Sequence, residues 1–192
     1  MSENTAAQTS AARTVATVDH GKLDIQALVL LAVLLAAGFI LNFTVGKAIS
    51  GISGGLISPE FIISAFCITI LVVRPNLPQA LVIGLISAAV IQVTTTSPFI
   101  DFAAEGIAAM LMAGIVAAGM SSPAKRLVPL VGSFVTTVVS GVIFMLIKIA
   151  MVGGAAELAA AMLPVVVLTG VFNAILVSAL YLPIKAALKL AD

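Results

Sequence analysis

Carboxylates, amides and hydroxyls set inside apolar helices mark chemistry, because hydrocarbon rejects them. At the centre of a bilayer an ionised side chain costs at least ~2.5–3.5 kcal/mol by insertion scales. In this chain such groups gather mainly between Gly51 and Met112: Glu60, Gln92, Thr94, Thr95, Thr96, Asp101 and Glu105. Asn42 lies just before that stretch and Asn173 far beyond it. Together with the aromatic rings of Phe61 and Phe99, these groups suit recognition of a small molecule by charge, hydrogen bonding and stacking. A glycine-rich loop, Gly51–Gly55, would close over it.

Each residue also has a plainer reading. Asp101 can cap the helix it opens, and Glu60 can answer the positive first turn of another. Threonine hydroxyls can bond back to their own helix, Asn173 can be interhelical glue, and Lys148 can snorkel to the interface or hold a carboxylate. Glu105 is harder to explain away. It follows Ala103 and Ala104, precedes Gly106 and Ile107, and has no basic neighbour in sequence. A carboxylate in that setting answers a cation, an amine or a hydrogen-bond donor.

Catalysis has no foothold. The single histidine, His20, lies in a polar tail, so neither a Ser–His pair nor an HExxH zinc site can be assembled. Gly46-Lys47 lacks the upstream glycine and following hydroxyl of a phosphate loop. The tandem motifs of an intramembrane aspartyl protease are missing. One cysteine, Cys67, excludes an internal disulfide or a multi-cysteine metal site. No cofactor is expected, and scattered basic residues give nucleic acid nothing to bind. Energy from ATP must come from another chain.

The elements that must position these residues follow from composition. The 192-residue chain is 61% hydrophobic and only 9% charged, against about 25% charge in ordinary globular domains. Several windows reach the ~20 apolar residues a helix needs to cross hydrocarbon. The expected fold is all-α: a polytopic membrane protein with one six-helix transmembrane domain over 24–192. Its runs fall at about 25–43, 58–73, 77–94, 102–119, 127–151 and 163–182. Residues 1–23 read as a disordered polar tail. Val45–Leu56 reads as a loop, and Ser58-Pro59-Glu60 as a helix start with Ser at the cap and Pro at the first position. Arg74-Pro75 and Gly153-Gly154 read as breaks. Pro164 should open the last helix and Pro183 close it.

Six passes bring both termini to one side. That side holds Arg13, Lys22, Arg74, Lys125, Arg126, Lys185 and Lys189, whereas Lys47 and Lys148 fall opposite. Positive residues favour the cytoplasm, so both termini should lie there. Glu60, Asp101, Glu105 and Glu157 then sit at the outer ends.

At its centre the chain resembles the substrate-binding (S) components of energy-coupling factor transporters, and within them the predicted tryptophan transporter family. The likeness rests on Ser58-Pro59-Glu60-Phe61, Gln79-Ala80-Leu81-Val82-Ile83-Gly84-Leu85 and Thr94-Thr95-Thr96-Ser97-Pro98. It covers residues 25–115 well and the last two helices by hydropathy only. Two positions depart from the family: Ser58 replaces a lysine before the proline, and Gly106 a basic residue after the acidic one. The resemblance implies a six-helix subunit of the plasma membrane that captures a vitamin or amino acid such as tryptophan from outside. It also implies partners: a transmembrane coupling subunit and two ATPases, docked on small residues of the first helix, here Ala32 and Ala36. An autonomous carrier or channel, and a structural membrane subunit, are the alternatives.

Overall fold

The computed structural model describes residues 23–93, 95 and 97–188, and every regular element among them is helical. The tail, Lys189, Thr94 and Thr96 lie outside the described residues, so the expectations placed on them stay with the sequence.

The first rod is continuous. Helix α1, Ile25–Leu41, starts where Asp24 Oδ1 accepts the Ala27 N–H at 2.8 Å. It passes through a π-helical turn, Asn42–Gly46, into α2, Lys47–Ile52. The predicted loop over Val45–Leu56 is thus helical through Ile52. Gly46 does not break the helix because it is buried, packed against the Phe61 ring and the Pro59 carbonyl. The chain leaves the helix only at Ser53, ahead of Gly54 and Gly55, whose φ values of 63° and 83° suit glycine.

Helix α3, Phe61–Val73, is buried at every position. A helix apolar all round belongs inside a bundle, and α1 and the four helices that follow α3 all pack against it. It ends on Arg74, whose left-handed conformation precedes Pro75. Helix α4, Leu77–Ile91, opens on a capping box in which Asn76 and Gln79 bond each other's backbone N–H. Helix α5, Ile100–Gly119, leads through a short 3-10 turn, Lys125–Leu127, into α6, Val128–Val152.

Gly153 and Gly154, at φ 81° and 68°, end α6 as expected. Helix α7 then starts at once and runs from Ala155 to Ala187, through both Pro164 and Pro183. The prolines therefore neither open nor close it. Close packing of α6 on α7 holds the long helix together. A Cβ on Gly141 would stand 2.8 Å from Val166, and one on Gly170 the same distance from Val138.

Among the described residues, four stretches are long and apolar enough to cross a membrane: Ile25–Ile52, Ile100–Gly119, Lys125–Val152 and Ala155–Ala187. Their outer faces carry exposed Val29, Val33, Ile40, Val171 and Ile175, an apolar exterior that suits lipid rather than water. The chain is an all-helical, membrane-associated protein. Helices α3 and α4 have 13 and 15 residues, about 20 and 22 Å at 1.5 Å per residue. They fall short of a ~30 Å core, and α3 is shielded on all sides by its neighbours.

Candidate ligand-binding site

One cavity of about 500 Å³ opens at a single end of the bundle, within the range of small-molecule sites. Its wall draws on the C-terminal ends of the first rod, α4 and α6, and on the N-terminal ends of α3, α5 and α7. Successive helices therefore alternate in direction. That alternation is what brings Glu60, Thr95, Asp101 and Glu105, distant in sequence, onto one wall.

Glu105 is the most deeply set of these, 4% exposed. The Ser140 hydroxyl of α6 donates to its Oε1 at 3.1 Å, while Oε2 has no protein partner. Asp101, one turn earlier on α5, accepts from Gln92 Nε2 at 3.2 Å and has Thr95 beside it. Both acids lie near the N-terminus of α5, where the helix dipole favours negative charge. Lys47 is the lysine on the wall, and its ammonium lies 4.5 Å from the centroid of the Phe43 ring.

Glu60 owes its position to side chains from two other helices. Segment 58–60 is not the predicted start of a helix; α3 begins at Phe61, and Glu60 makes no side-chain cap. Thr169 Oγ1 of α7 accepts the Ser58 N–H at 3.2 Å and donates to the Ser58 carbonyl at 3.1 Å. Asn173 Nδ2 donates to the Glu60 carbonyl at 3.2 Å and to Thr137 Oγ1 at 3.3 Å. Asn42 Oδ1 on the π-helical turn accepts the Phe61 N–H at 2.9 Å. Backbone outside a helix must find such partners where water is scarce. Given them, residues 58–60 stay outside the helix instead of continuing α3 by one more turn.

The other predicted residues do not line the cavity. Phe61 is packed edge-on to Phe172, ring centroids 5.9 Å apart, and Phe99 is 77% exposed on a left-handed turn. Neither ring lines the cavity. Asn173 is fully buried and acts as the interhelical glue that its plainer reading foresaw. Gln92 pins the turn between α4 and α5, its Oε1 accepting the Phe99 N–H at 3.0 Å. Glu157 is exposed in the first turn of α7 and does not join the other three acids. Lys148 lies 5.6 Å from the centroid of the Phe144 ring. Gly51 belongs to α2, so the wall-side loop is Ser53–Glu60 rather than Gly51–Gly55. Ala32 and Ala36 are exposed on the outer face of α1.

Wall residues that sequence reasoning passed over include Lys47, Ser58, Thr137, Ser140 and Thr169. A signal for two of them exists. Ser133, Thr136, Thr137 and Ser140 recur at helical spacing along α6 and are all buried, a hydroxyl stripe aimed inward.

The Gln92 contacts carry a prediction. Gln92→Ala should lower stability by about 1 kcal/mol and speed amide exchange at Phe99. Hydrogen exchange with unchanged Phe99 protection would show that the turn is held by something else.

Chemically, the cavity can bind and orient but holds no nucleophile–base pair among the described residues. No group of three His, Cys, Asp or Glu side chains there converges as a metal site. Compared with known protein families, with characterised proteins and with solved structures, the chain matches none.

Proposed function

We propose that this protein is the substrate-capture subunit of an energy-coupling factor importer. In this reading all six passes, α3 and α4 included, form the membrane bundle in the plasma membrane, with both termini cytoplasmic. The subunit takes up an amino acid or vitamin, tryptophan or a relative, from the outer side. A coupling subunit and two ATPases then drive delivery.

The observation that carries the reading is the acid-lined cavity at one end of the helix bundle. The other end bears Arg74, Lys125, Arg126 and Lys185, the charge bias of a cytoplasmic face. Glu60, Asp101 and Glu105 on the cavity wall are costly in a bundle without a ligand to meet them. The exposed Ala32 and Ala36 stripe on α1 offers a coupling subunit close backbone approach.

Two measurements on the purified full chain test the proposal. Equilibrium binding to a panel of amino acids and vitamins should find a ligand, and at 100 times its dissociation constant that ligand should stabilise the fold by about 2.7 kcal/mol. Liposomes holding this chain alone should show no flux of the bound compound. Flux without ATPases would mean an autonomous carrier, and no stabilising ligand would mean a structural subunit.

A further inference from the structure

The charge of the cavity wall goes further than its volume. Resting on the capture reading, we propose that the occupant is an organic cation whose protonated amine is held by Glu105. The Glu105 carboxyl is 4% exposed, satisfied on Oε1 by Ser140, and unpartnered on Oε2. A half-satisfied buried carboxyl on a cavity wall is a site for a charged donor, because charge-assisted hydrogen bonds are about twice as strong as neutral ones. Glu60 and Asp101 line the same space. Lys47 does not neutralise them by contact; its side chain is exposed, with the ammonium over Phe43.

Two further observations narrow the class. No three acids among the described residues converge on one point, so the wall does not form a cage for a compact metal ion. Ile63, Phe144, Met162 and Val166 complete the wall with apolar surface. The matching ligand has an apolar body and a basic nitrogen. An anion of the same shape would meet three carboxylates in a low-dielectric space and be repelled.

The test uses the purified full chain and probes that share a ring and differ in the charged groups they carry. An indole set of tryptamine, tryptophan and indole-3-propionate is run beside a phenyl set of phenethylamine, phenylalanine and 3-phenylpropionate. The readout is the shift in melting temperature, followed by the dissociation constant of any binder. Expected is stabilisation by an amine-bearing member of a set, at least tenfold tighter than its anionic counterpart, with that preference lost in Glu105→Gln. An anionic member binding as tightly as its amine overturns the cation assignment while leaving the capture reading intact. So does a charge preference unchanged in Glu105→Gln. Failure of every probe, while the wider panel of amino acids and vitamins yields a ligand without an amine, overturns this inference alone; failure of that panel as well overturns the capture reading with it. The ranking is read on the native chain first, so it holds even if the variant folds poorly.

Discussion

Gly84→Val is expected to yield little folded protein and no ligand binding. A Cβ at Gly84 would stand 2.5 Å from the Glu105 carbonyl oxygen and 2.8 Å from the Ala109 Cβ. The first of these neighbours is backbone in the second turn of α5, so no rotamer change can relieve it. Either α4 moves away or α5 bends. Overpacking a core typically costs about 1–3 kcal/mol, and pressing on backbone puts this case at the upper end or beyond. The strained residue is Glu105 itself, so the carboxyl on the cavity wall shifts with it. Gly84→Ala carries the same first clash without the extra methyls and should fall between native and valine. Melting temperature and binding should drop together through the series. A Gly84→Val protein with the native melting temperature would show that the two helices are not held at this distance.

Asn173→Leu should be the next most damaging change, weakening folding and binding by comparable amounts. The side chain is fully buried and donates at once to the Glu60 carbonyl and to Thr137. Leucine fills similar space but leaves the Thr137 oxygen without its donor and the 58–60 segment with one fewer tether. Losing a buried partner costs about 1–3 kcal/mol. Removal of the unpartnered Asn173 Oδ1 offsets part of that. Glu60 lies on the freed segment, so affinity should fall on the order of tenfold, about 1.4 kcal/mol. Thr169→Val removes the other clamp, the two hydrogen bonds to Ser58. The two variants act on the same few residues, so their effects on affinity should not add. Additive losses in a double-mutant cycle would mean that the two side chains work on separate structures.

Hydropathy and punctuation alone made six helical runs and most of their ends readable, and all six are present. The positions where the structure departs are those where a local signal competed with a distant partner. Ser58-Pro59-Glu60 has every local mark of a helix start, yet Thr169, Asn173 and Asn42 offer its backbone better bonds from other helices. Gly46 and Gly51 look like loop residues, yet packing against Pro59 and Phe61 carries the helix past the first of them. Pro164 looks like a boundary, yet α6 packing carries α7 through it.

The sequence by itself determined that this chain is helical and belongs with a membrane, because hydrophobic composition over windows of about twenty residues leaves no other solvent for it. It also singled out Glu60, Asp101 and Glu105, because a carboxylate in such surroundings is costly wherever it ends up. Only the tertiary structure decided that these three share one cavity while Glu157 does not. Only it showed that Ser140 answers one oxygen of Glu105 and nothing in the protein answers the other. Those facts depend on which helix faces which, and that is set by close contacts such as Gly84 on α5 and Gly170 on α6, whose partners lie far away along the chain.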